Sequence, residues 1–202
     1  MLALLKRDFI LSYGNRQTYF LMLIFPLMML VIMSMDNPET LVSLSIVAST
    51  YFISMMPFAY EWSYRNRLFF DSLPIKKWEV VFSKYISILI NYGFSVVYIY
   101  LFFGALEILG LNIGYNFSLS MIKHTFFISL FSLSIAVPLI YLLPAKIARI
   151  IYIFIYVIIT NIFVLGDATT IVELVQGPFF ITGIYLVSGL ISTFIYKHRD
   201  LR

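Results

Sequence analysis

The chain has 202 residues, 61% of them apolar and only 12% charged, with a mean hydropathy of +0.94. Soluble domains carry about 25% charged residues, so too few charges remain here to solvate a surface. A soluble globular domain, a disordered chain and, since cysteine is absent, a disulfide framework are all excluded. The net charge of +4 takes its meaning from where the charges lie.

Residues 2–17 read as an amphipathic helix, with Leu2, Leu5, Phe9 and Tyr13 on one face and Arg7, Asp8 and Asn15 roughly opposite, although Leu4 and Leu11 sit on the polar side; a frayed extension of the first span is the alternative. Such a segment suits the membrane interface. Uncharged runs then occupy 17–35, 40–60, 85–106, 125–145, 150–166 and 174–196. About 20 apolar residues cross a hydrocarbon core as a helix, so the expected fold is all-α, with six transmembrane helices in a single membrane domain over 1–202. Ten-residue alternation is missing, which argues against a β-barrel. The first run is too long, and too closely bounded by charge, for a cleaved signal peptide. Pro26, Pro57 and Pro138 fall in or at the ends of spans, where proline kinks a helix without forbidding it.

Orientation follows from the basic residues. Apart from Lys123, every lysine and arginine lies before the first span, between the second and third, between the fourth and fifth, or after the sixth. The opposite side holds Asp36, Glu39, Glu107, Asp167 and Glu173. Both termini are therefore expected on the cytoplasmic side of the cell membrane.

Among the first span's residues, Met22, Phe25, Met29 and Met33 share a helical face. Flexible thioethers suit a surface that accommodates varied apolar ligands, so this stripe is a candidate substrate path, with packing as the plainer alternative. The connection 61–84 is the longest and the only one dense in charge. In it Trp62, Tyr64, Phe69, Phe70 and Trp78 interleave with Glu61, Arg65, Arg67 and Asp71, the composition of a recognition surface. Interfacial anchoring by Trp, Tyr and Arg is the alternative. Glu61 is expected to pair with a nearby arginine, and Pro74 fits the first turn of a following helix.

The outward connections are short. Gly110 and Gly114 have GxxxG spacing outside a clear span, and in 166–178 the Thr170–Glu173 pair reads as a capping box before the stop at Gly177-Pro178. Asn91 and Asn161 within spans read as helix–helix hydrogen-bonding residues, and His124 as interfacial. No phosphate loop, zinc-binding His-Glu-x-x-His or nucleophile elbow is present, nor an ionisable residue at mid-span to relay protons. No catalytic residue, metal or nucleic-acid partner is expected.

Glu61 at the end of the second run, Tyr64-Arg65-Asn66-Arg67 after it, and the phrase Ser72-Leu73-Pro74-Ile75-Lys76-Lys77-Trp78-Glu79-Val80-Val81-Phe82-Ser83-Lys84-Tyr85 resemble the corresponding stretch of small ABC-2 type permeases. The six runs with their basic ends resemble that family over the whole chain. Within it the chain looks most like the short permeases of amphipathic-peptide exporters, such as the phenol-soluble modulin exporter. The resemblance implies a permease that pairs with a second permease, identical or not, and recruits separate ATPase subunits that hold ATP and magnesium. It implies that 2–17 is an elbow helix and that 61–79 is a coupling region in which Glu61, Tyr64, Arg65, Asn66, Arg67, Phe69, Phe70 and Asp71 meet the ATPase. It also implies that 166–178 is a re-entrant or interfacial segment, and that the cargo is hydrophobic or amphipathic, a peptide before a lipid or drug. A membrane structural or immunity protein would share the span count without needing such an insertion.

Overall fold

The computed structural model describes residues 1–14, 16–32, 38–61, 75–110, 117–165 and 178–198. These residues form seven α-helices and no strand: α1 (Leu2–Tyr13), α2 (Arg16–Ile32), α3 (Pro38–Glu61), α4 (Lys77–Ile108), α5 (Leu119–Leu142), α6 (Ala145–Leu165) and α7 (Pro178–His198). Four stretches are long and apolar enough to cross a membrane, namely Pro38–Glu61, Lys77–Ile108, Leu119–Leu142 and Phe179–His198. The runs expected at 17–35 and 150–166 fall on α2 and α6, and α2 holds a shorter apolar stretch, Thr18–Val31.

The helix ends are set by local chemistry. The Ser118 hydroxyl accepts from the Met121 N–H at 3.1 Å, so α5 starts more than a turn before the expected span. Pro144 follows its end and separates it from α6. Gly110, at φ +88°, closes α4, its N–H donating to the Glu107 carbonyl at 2.9 Å. That left-handed turn gives Gly110 a helix-stopping role.

α3 lies at the centre, touching α1, α2, α4, α5 and α6. Its most apolar window is 78% buried, against 28% for α7. The main core joins Val47, Ala48 and Tyr51 of α3 to Val81 and Ile88 of α4, Leu133 and Val137 of α5, Tyr152 of α6 and Tyr185 of α7. Around it the outward faces stay apolar: Phe20 and Leu23 on α2, Val97 and Leu101 on α4, Ile150 and Phe154 on α6, and Leu190 and Phe194 on α7 are all exposed. In water such a surface would be untenable, whereas lipid tails are as apolar as leucine.

Because lipid removes most of the hydrophobic drive between helices, packing and interhelical hydrogen bonds choose the arrangement. The Tyr51 hydroxyl donates to the Tyr152 carbonyl and the Tyr152 hydroxyl to the Tyr51 carbonyl, both at 2.7 Å, with the rings 4.1 Å apart. On the other flank Tyr85 meets Ser188 and Ser192 at 2.7 and 2.9 Å, while Tyr185 donates to the Tyr85 carbonyl. Tyr152→Phe is expected to lower stability by about 1 kcal/mol, read from the unfolding midpoint of the purified chain in mixed micelles. An unchanged midpoint would mean that the bond is replaced without loss.

Successive contacts run α1 alongside α4 in the same direction, and one further bond links α4 to α2, which packs on α3. The N-terminal amine lies 3.9 Å from Glu79, Lys84 reaches Asp8, Tyr13 donates to Asn91 at 3.1 Å, and Tyr98 donates to the Met22 carbonyl at 3.1 Å. This corrects the expected face of the first helix. Leu4, Asp8, Ser12 and Tyr13 are buried, whereas Leu2 and Phe9 are exposed, so the inward face is a mixed one that includes Asp8 and Ser12, and of the expected apolar face only Tyr13 is buried. The reason is that α4 offers polar partners for that face. Asn91 joins helices as expected, bridging Tyr13 and Ser54. Asn161 does not: it is exposed and donates to Val157 of its own helix.

Candidate functional site

Asp8 and Lys84 are the most deeply placed charges among the described residues, 0% and 1% exposed. Three helices bring them together. On α1, Asp8 follows Leu4 by one turn and precedes Ser12 by another, so the three share the face that meets α4. On α4, Lys84 lies in the second turn, next to Ser83. Glu61 is the last residue of α3. Lys84 therefore belongs to a helix interior and not to the connection in which its charge first places it, and what buries it is the arrival of two carboxylates.

The Lys84 ammonium is 3.0 Å from Asp8 Oδ1 and 2.7 Å from Glu61 Oε1. The Arg7 guanidinium completes the ring, with Nη2 at 2.6 Å from Asp8 Oδ1 and 2.9 Å from Glu61 Oε1. Nε of Arg7 donates to the same Asp8 oxygen at 2.9 Å. The expected partnership of Glu61 with an arginine thus joins it to Arg7 of the first helix. Counted over the described residues, two cations and two carboxylates leave the cluster neutral. Burial works against the Arg7 charge, but Glu61 and then Asp8 outweigh it and hold its pKa above the ordinary value.

Aromatic rings close the cluster from the side. The Lys84 ammonium stands 5.2 Å from the centre of the Phe58 ring, and Phe58 meets Tyr141 edge-on at 5.9 Å. Tyr141, 4% exposed, packs on Tyr196 of α7 at 5.2 Å. Close by, the Lys77 ammonium reaches the Lys197 carbonyl at 3.5 Å and lies 5.8 Å over the Tyr196 ring. The start of α1, the end of α3, the start of α4 and the ends of α5 and α7 therefore converge at one basic end of the bundle. The arrangement offers no nucleophile or metal site, and no group of three or more metal-ligating side chains occurs among the described residues. What it does is mechanical: it fixes α1, α3 and α4 to one another where the chain leaves α3 at Glu61.

Of the other residues singled out from sequence, Tyr64, Arg65, Asn66, Arg67, Phe69, Phe70 and Asp71 lie outside the described residues, as do Pro74, Met33 and the Thr170–Glu173 pair. Met22 is buried against Tyr13 and Ile53, and Phe25 packs on Phe52 and Tyr156 at 4.9 and 6.0 Å. Both line a void of only about 10 Å³ between α2 and α3, and Met29 is half-buried on α2. Sequence reasoning missed Asp8 and Lys84. The available signals were Asp8 between Leu4 and Ser12 at helical spacing, and an acid and a base closing the two ends of one insertion.

A family model described as ABC-2 family transporter protein matches residues 3–197. No curated protein and no solved structure matches the chain.

Proposed function

The chain belongs to the ABC-2 family of transporter proteins, and on that premise we propose that it is the membrane permease of an ATP-driven exporter whose ATP and magnesium are held by separate ATPase subunits. Six helices cross the membrane, α2 and α6 included, with both termini and the basic end in the cytoplasm, as the distribution of lysine and arginine favours. Segment 61–79 is the coupling region, α1 the elbow and 166–178 the re-entrant segment. Two permeases assemble, and a hydrophobic or amphipathic substrate, foremost a peptide, passes along or between them. The chain hydrolyses nothing itself.

The observation that carries this reading is the charge cluster at Glu61. A displacement delivered to 61–79 reaches Glu61 on one side and the start of α4 on the other. Arg7 and Lys84 join those two points, so α3 and α4 receive the stroke as one body. Since α3 touches five other helices, its motion reaches most of the domain. An energy source outside the chain fits this reading, since the sequence carries no phosphate loop and no ionisable group at mid-span.

Purification of the chain from native membranes in mild detergent tests the proposal. An ABC ATPase is expected to accompany it, together with a second permease copy, and ATP hydrolysis by the complex is expected to respond to amphipathic peptide. Recovery of the chain alone under conditions that keep other membrane complexes whole would overturn it.

A further inference from the structure

At the end of the bundle away from the charge cluster, a cavity of about 240 Å³ opens between the first turns of α3 and α5 and the far part of α6. Its lining is divided by chemistry. Glu39, Ser43, Ser120 and His124 contribute polar groups, while Val47 and Ile159 form apolar wall. From this division we infer that the cavity binds a primary alkylammonium: a protonated amine set against Glu39 and the hydroxyls, with its apolar stem against the wall.

The sign of the charge follows from the lining. Among the described residues that line it, Glu39 is the only fully charged side chain, itself exposed at the cavity mouth; Lys123, beside His124 in sequence, is not part of the lining. Helix starts favour anions, but with about half a unit of charge that falls off within a turn. At α5 that charge is already met by the Ser118 hydroxyl, which accepts from Met121 N–H. His124 Nε2 lies 3.5 Å from the Ser120 hydroxyl. An ammonium has three N–H donors, and carboxylate, hydroxyl and imidazole groups supply acceptors for them. A carboxylate or phosphate of the same size would meet Glu39 with like charge.

Because the chain has no cysteine, thiol chemistry tests this without background. Ser43→Cys, or Ser120→Cys should the first fail to fold, is treated in detergent with methanethiosulfonate reagents carrying either an ammonium or a sulfonate. After correction for their rates with free cysteine, the cationic reagent is expected to react about tenfold faster. Glu39→Gln should bring the ratio near unity, while His124→Gln should leave most of it. Millimolar octylammonium should protect the thiol, and octanol and octanoate should not.

In nanodiscs of phosphatidylcholine, protection by octylammonium identifies a soluble amphiphile as the ligand. Protection that appears when phosphatidylethanolamine replaces phosphatidylcholine identifies the lipid headgroup. Equal reactivity of the two reagents, or no protection in any arm, overturns the inference. The inference does not depend on the proposed transport reading. The test is made on the purified chain, so absence of an ATPase partner leaves it unchanged, and a negative result here leaves the co-purification test intact.

Discussion

Replacing Lys84 with methionine is expected to destabilise the protein by about 3–5 kcal/mol, the range for removing one partner of a buried ion pair. The size comes from what is left behind. Lys84 and Asp8 are 1% and 0% exposed, so water cannot take over from the missing ammonium, and among the described residues Arg7 is the cation left to serve both carboxylates. The aliphatic stem of methionine fills most of the lysine's space, which keeps lost packing small beside lost charge. Adding Asp8→Asn restores neutrality and should recover most of the loss, a coupling that a double-mutant cycle reads directly. Glu61→Gln should cost less, since Glu61 is 17% exposed. The measurement is the thermal unfolding midpoint in detergent at matched insertion. A Lys84→Met protein that melts with the parent would show that the cluster does not hold these helices.

The second large effect is expected in 61–79. Tyr64→Ala, Arg65→Ala and Phe69→Ala should each weaken assembly with the ATPase by about 2 kcal/mol, roughly a thirtyfold loss of affinity, while the chain still inserts normally. Aromatic and arginine anchors carry interface energy disproportionately, because their truncation leaves a pocket or a partner charge unfilled. Co-purified ATPase and substrate-stimulated hydrolysis, each normalised to permease abundance, measure the effect. Full assembly and full transport in all three variants would reduce this segment to an interfacial anchor.

The contrast between those two predictions marks what the sequence could say. The apolar runs were legible because lipid imposes a length on any helix that crosses it, and the four clearest helices fall where the runs do. The insertion stood out by its composition. The charge cluster was hidden because its members are far apart in the chain and each has an ordinary local explanation. Lys84 reads as one more base beside a span, and Asp8 as the wet side of an amphipathic helix. Only the parallel course of α1 against α4 turns Asp8 inward, and that course is a tertiary fact, which no helical periodicity encodes. Asn161 shows the reverse error: a polar residue within an apolar run suggested a partner helix, yet the nearest acceptor was its own backbone, one turn away.

The reciprocal pair formed by Tyr51 and Tyr152 bears on where motion can occur. Each ring is tied at its tip to the other's main chain, at 2.7 Å in both directions, so the pair acts like two crossed pins. Sliding α3 along α6, or rolling one over the other, stretches both pins together, so the first small displacement costs both bonds at once, about 1–2 kcal/mol between them. That cost biases α3 and α6 towards moving together, and a rearrangement that opens a passage through this domain is met with less resistance at seams where side-chain contacts can be exchanged one at a time.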